Sequence, residues 1–151
     1  MKPLVIGVGN RWRGDDGVGP RTVDAISRLG RDDVDVVALD GEPARLVSAW
    51  TDRHCVVVVD AIRAGAQPGT IHHLVGDDRI PAPGGESSTH GGGVAAAVAI
   101  GRALGSLPER LVIVGVEPAA IDHAAHLSPA VAGAIDEVVD RVLKEVNDTC
   151  V

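Results

Sequence analysis

Four short runs of almost uninterrupted aliphatic and β-branched residues restrict the folds open to this chain more than any other feature. They occupy residues 4–8, 34–39, 55–59 and 111–116. A strand with one wet face alternates apolar and polar residues, whereas a continuous apolar run needs cover on both faces, as in the parallel sheet of an α/β protein. A fifth run, residues 70–75, follows the turn Gln67-Pro68-Gly69 and is more polar, as expected of an edge strand, here one able to run antiparallel. Helical patterns fall between these runs. Residues 17–29 put Val18, Val23, Ile26 and Leu29 on one stripe, residues 44–50 form a shorter segment, and residues 90–104 are rich in alanine. At the C-terminal end, Ser128 can cap and Pro129 fits a first helical position. Val131, Ile135, Val138, Val139, Val142 and Val146 follow as one apolar face. The expected architecture is therefore α/β, a three-layer α/β/α arrangement with a mostly parallel, twisted sheet of about five strands.

The 151 residues suit one domain spanning 1–151, with no internal repeat and no dividing linker. Its core must be aliphatic: 45% of the residues are hydrophobic, but there is no Phe or Tyr, and only one Met and two Trp. The formal charge of -7 and the lack of a basic run argue against nucleic acid as a partner. No segment approaches the length of a membrane span and the N-terminus lacks a signal-like apolar run, so a cytoplasmic location is expected. Cys55 and Cys150 have no CxxC spacing for a zinc knuckle and read as reduced thiols.

Ligands of open α/β sheets bind beyond the carboxyl ends of the strands. Three of the runs here lead to acids: the first to Asp15 and Asp16 in GVGNRWRGDDGVGP, the second to Asp40 and Glu42 in LDGEP, and the third to Asp60 in VVVVDA. Asp15 or Asp16 can simply cap the following helix, where a carboxylate meets the positive end of the dipole. Asp60, directly behind four valines, needs a partner if it is buried, either its own turn backbone or a cation. His90, in SSTHGGGV at the start of a helix, stays neutral and can bind metal, or it can be a hydrogen-bonded loop residue. Two carboxylates and an imidazole on separate strand ends would suit a borderline divalent metal such as nickel or zinc.

Rival readings are weaker. The dinucleotide fingerprint fails because Trp12 stands where its third glycine belongs, and the phosphate-loop pattern lacks its lysine. Ser87 and Ser88 have no nucleophile elbow around them. His72 and His73 are adjacent on a strand and must face opposite sides. His54 precedes a strand, and Asp122, His123 and His126 cluster in a loop; surface positions are expected for all four.

In order along nearly the whole chain, GVGNRWRGDDGVGP, LDGEP, VVVVDAI with PGTI, STHGGG and VIVGVEP resemble the nickel-iron hydrogenase maturation endopeptidases. The resemblance implies an endopeptidase that removes the C-terminal extension of a hydrogenase large-subunit precursor once nickel has been inserted. The partner would be that precursor and the metal the nickel it carries, or another divalent ion, with the protease itself a monomer. The family's metal-contacting positions fall on Asp16, Asp60 and His90, with Asp16 and Asp60 also the candidate catalytic carboxylates. Asp40 and Gly41 would help to select substrate. Two departures stand out: some relatives have glutamate where this chain has Asp16, and some have a second glycine at Glu42-Pro43. A noncatalytic chaperone docking on a nickel site is the alternative, followed by a nucleotide-binding enzyme of Rossmann type.

Overall fold

The computed structural model describes residues 1–76 and 91–148. Five strands form one sheet in the order β2-β1-β3-β5-β4, where β1 is Leu4–Val8, β2 Asp35–Leu39, β3 Cys55–Ala61, β4 Ile71–Val75 and β5 Arg110–Val116. The first four in that order run parallel, and β4 pairs antiparallel with β5 at the edge. The helices are α1 (Val18–Ser27), α2 (Pro43–Trp50), α3 (Gly91–Leu104), α4 (Pro129–Ala132) and α5 (Ile135–Asp148). Among the described residues no helix is long and apolar enough to cross a membrane.

Alternation along the strands divides the core in two. Val5, Val57, Val59, Val112 and Val114 face α1 and α5, meeting Val23, Ile26, Val138 and Val142. Ile6, Val8, Val56, Val58 and Ile113 point the other way, onto Leu46 and Trp50 of α2 and Val94 and Val98 of α3. This is the three-layer arrangement that doubly apolar strands require. Only one tryptophan serves the core: Trp50 is fully buried, whereas Trp12 is 68% exposed.

The C-terminal helix differs from the sequence expectation. It is split into α4 and α5 around Gly133 and Ala134. Ser128 makes no side-chain cap on α4; its hydroxyl instead donates to Asp15 at 2.8 Å. Helix α2 does have a side-chain cap, since Glu42 accepts the N–H groups of Ala44 and Arg45, both at 3.1 Å. Cys55 is disulfide-bonded, which corrects the reduced thiol read from its isolation in the sequence; bonding depends on three-dimensional proximity, which spacing does not reveal.

Two glycines fix how α1 meets the sheet. A Cβ on Gly19 would lie 2.5 Å from the backbone N and O of Val8 and 2.6 Å from the carbonyl oxygen of Val59. A Cβ on Gly7 would lie 2.3 Å from the Gly19 carbonyl oxygen. Helix α1 therefore starts in the notch between the carboxyl ends of β1 and β3, closer than any side chain allows. Gly19→Ala is expected to destabilise the domain by about 3 kcal/mol, since only backbone atoms could give way. Gly30→Ala, where nothing lies within 4 Å and only a φ of 65° is strained, should cost about 1 kcal/mol. Urea denaturation of both variants tests this, and equal losses would show that conformation rather than close approach is what Gly19 provides.

Candidate functional site

Strand β1 connects to β2 on one side of the sheet, and the chain then returns to β3 on the other side of β1. The carboxyl ends of β1 and β3 are thus the topological switch point, where α/β proteins form their binding crevice. Asp16 reaches that point from the 3-10 turn Gly14–Gly17, which links β1 to α1. Asp60 is the penultimate residue of β3, aligned with Gly115 of β5.

Asp16 is fully buried and Asp60 is 1% exposed. The Asn10 N–H donates to Asp16 Oδ2 at 2.8 Å. Gly9, at φ 139°, passes directly over Asp16, because a Cβ there would lie 1.9 Å from the Asp16 carbonyl oxygen. Asp60 is provided for differently: among the described residues no well-formed hydrogen bond reaches either carboxyl oxygen, and the adjacent Ala61 N–H is the one donor close enough to act on it. Burial, and then the charge of Asp16, push the Asp60 pKa well above the ordinary carboxylate range, opposed only by the neighbouring Ala61 N–H. The structure thus brings two of the expected site residues into electrostatic contact, with Asp60 the one whose charged form is disfavoured.

Asp15, next in sequence to Asp16, has the opposite character. It accepts the N–H groups of Ala119 at 2.7 Å, Ala120 at 3.1 Å and Ser128 at 2.7 Å, besides the Ser128 hydroxyl. Burial raises its pKa, but the Ser128, Ala120 and Ala119 hydrogen bonds outweigh that and hold it below the usual value. Backbone bonds from Asp15 N to Ala120 O and from Gly14 N to Ala124 O complete the tie. Asp15 therefore clamps the site loop to the segment after β5 rather than capping the 3-10 turn, which has no side-chain cap.

Gly41 and Asp40 also fall near the switch point, with different surroundings. Gly41, at φ 90°, lies against Val8, and its carbonyl oxygen would be 2.1 Å from a Cβ on Gly93 in the first turn of α3. The third glycine of the STHGGG motif is explained by that contact. Asp40 is exposed, accepts the Glu42 N–H at 3.1 Å and pairs with Arg45 at 2.6 Å. His90, the third expected metal ligand, lies outside the described residues. Among those described, no three His, Cys, Asp or Glu side chains converge as a metal site.

One buried acid escaped the sequence reading. Glu117, directly after β5, is 4% exposed. It accepts the N–H groups of Ala64, Gly65 and Ala66 and meets His72 Nε2 at 3.1 Å. Burial pushes its pKa up, and the Ala64 N–H, His72 and the Gly65 N–H bring it below normal. An acid ending an apolar run in VIVGVEP was the available signal, the same one that marked Asp60. His73 faces away from His72, towards Glu145 at 2.6 Å, as adjacent strand positions must. His54, Asp122, His123 and His126 are exposed.

These features define a three-layer α/β protein with a buried pair of carboxyl groups at the switch point of its sheet. Residues 20–145 match the model of the hydrogenase maturation proteases, and the chain belongs to that family. It is 31% identical over 148 residues to the hydrogenase expression/formation protein HupD of Rhodobacter capsulatus, covering 95% of this chain and 70% of that one. It is also 31% identical over 155 aligned positions to the hydrogenase 2 maturation protease of Escherichia coli, covering 99% and 93% of the two chains. Among solved structures, the hydrogenase maturating endopeptidase HybD of E. coli superposes with a TM-score of 0.86 at 28% identity, over 99% of this chain and 94% of that one. The maturation protease HybD of Thermococcus kodakarensis, at 20% identity and a TM-score of 0.72 over 97% and 99% of the chains, shares the fold.

Two outcomes follow from the contrast between the acids. Asp15→Ala should destabilise the domain by about 3 kcal/mol, since buried N–H groups lose a charged acceptor. Because the Asp15 pKa is lowered in the fold, its contribution is present above the unfolded pKa and lost as pH falls through the folded one. The variant's deficit should therefore shrink in acid, as thermal melts across pH will report. Asp60 has the reverse sign. With its pKa raised, wild-type stability falls as pH climbs from the unfolded value towards the folded one. Asp60→Asn should accordingly melt higher than wild type at about pH 8 and show no gain at about pH 4; a pH-independent difference would mean that Asp60 ionises freely.

Proposed function

We propose that the chain is the endopeptidase that removes the C-terminal extension of a nickel-loaded hydrogenase large-subunit precursor, and that Asp16, Asp60 and His90 receive the nickel the precursor carries. Family membership supports the reaction. The single observation supporting the metal role is Asp60, a buried carboxyl opposed among the described residues only by the Ala61 N–H, while Asp16 adds a second negative charge beside it. A divalent cation relieves both penalties at once, and carboxylate oxygens with an imidazole nitrogen suit nickel. In this reading nickel belongs to the substrate. Its capture holds the neighbouring peptide bond in a fixed position, so the protein contributes orientation and a site from which water is otherwise excluded. Asp16 and Asp60 are also the candidate general bases: a carboxylate here would take a proton from the attacking water and pass it to the departing amine as the peptide bond breaks. This would make the enzyme aspartic in type. Asp40 and Gly41 act at the rim of the same crevice in substrate selection. The protein is expected to act in the cytoplasm, as a monomer.

Mass spectrometry of purified precursor incubated with the protein tests the proposal. Nickel-loaded precursor should lose its extension while nickel-free precursor stays intact, and Asp60→Asn and His90→Ala should each reduce cleavage at least about a thousandfold in folded protein. Binding of the loaded precursor without release of a peptide would instead favour a docking chaperone. Near-normal cleavage by both variants would remove these residues from the site.

A further inference from the structure

We propose that the indole of Trp12 is a docking platform for an apolar side chain of the precursor beside the bond to be cut; this rests on the processing function proposed above. The chain has no Phe or Tyr and two Trp, and it keeps one of these few aromatic groups 68% exposed. Such exposure is costly for a large apolar surface that could be buried, and exposed Trp is the residue type most enriched among the energetic centres of protein interfaces.

The position ties Trp12 to the candidate site. It lies four residues before Asp16 in the same loop, and Asn10 joins the two directly. The Asn10 side chain accepts the Trp12 N–H at 2.9 Å, while the Asn10 N–H donates to Asp16 Oδ2 at 2.8 Å. A further turn bond runs from Arg13 N to Asn10 O at 3.2 Å. Arg11 makes two hydrogen bonds to Asp24 of α1, which fasten the loop to the helix. The backbone beneath the indole is therefore fixed before any partner arrives, so docking need not order a loose loop. The neighbours also select the guest. The indole face is apolar and carries the negative side of the ring quadrupole, which disfavours a carboxylate on it, while Arg13 next to it in sequence disfavours a basic side chain; an aliphatic or other uncharged apolar group remains.

The test uses the full chain labelled with 5-fluorotryptophan, whose two fluorine resonances are assigned with Trp12→Phe. On addition of nickel-loaded precursor the Trp12 resonance should shift or broaden while that of buried Trp50 stays in place. In cleavage assays Trp12→Ala should raise KM about tenfold with kcat within about twofold of wild type, and Trp12→Leu should recover most of the loss. The melting temperature of each variant shows that the exposed substitution leaves the fold intact. Normal cleavage with an unchanged KM in Trp12→Ala overturns the inference alone. A fluorine shift that depends on protein concentration without precursor shows a second copy of the chain as the occupant and overturns it too. If wild-type protein neither binds nor cuts the loaded precursor, the processing function falls and this inference with it.

Discussion

Everything at the candidate site depends on the contact in which Gly19 of α1 meets the backbone of Val8 and Val59, with Gly7 opposite. A Cβ at Gly19 would stand 2.5 to 2.6 Å from those atoms, so the helix can start only where it does because no side chain intervenes. That start sets the position of the preceding 3-10 turn and therefore of Asp16. The glycine-rich loop looks like a phosphate cradle in sequence, and the geometry assigns its glycines another purpose. Gly7 and Gly19 let a helix sit against two strand ends, Gly9 lets the chain fold over Asp16, and Gly41 with Gly93 brings the β2 loop against α3. Each removes a side chain at a place where two backbones must touch.

Three of the four buried acids at this end of the sheet show how similar residues are separated by their surroundings. Asp15 and Glu117 are surrounded by backbone N–H groups and have pKa values below normal, so each is ionised and stabilising. They hold the loops after β5 and β3. Among the described residues Asp60 has only the neighbouring Ala61 N–H to oppose its burial and the adjacent charge of Asp16, so its ionised form is penalised. A carboxyl of that kind costs stability wherever it ionises. The valine-rich sheet provides the margin: β1 and β3 are buried along their whole lengths.

β1, β3 and β5 were legible because a doubly covered strand leaves an unmistakable continuous apolar run; β2 carries the same run although it is a half-buried edge strand, and the polar turn before residue 70 marked the antiparallel edge. Asp60 was legible for the same reason, an acid placed where only apolar residues belong. The division of labour between Asp15 and Asp16 was not. Adjacent residues of one type differ only in where the chain turns, and the donors that claim Asp15 come from Ala119, Ala120 and Ser128, more than 100 positions away. For the same reason Ser128 read as a helix cap, since local sequence cannot show a hydroxyl taken by a distant carboxylate. The break between α4 and α5 keeps the apolar period nearly unchanged, so the pattern of valines alone gave one helix.

The extreme burial of Asp16 and Asp60 limits what they can discriminate. Under the proposed function the buried pair meets only the ion, and any precursor carrying the same ion would satisfy it equally. In that reading, choice between precursors falls to exposed groups that meet the rest of the substrate. Those exposed groups are fixed by the same short loops: Trp12 through Asn10 to Asp16, and Asp40 through its turn and Arg45 to the start of α2. Such coupling lets the rim change side chains without moving the pair, because the bonds that place the loops run through backbone atoms, Asn10 and Asp15. In the proposed function, recognition of the ion and recognition of its carrier therefore belong to different side chains, the first buried and the second exposed.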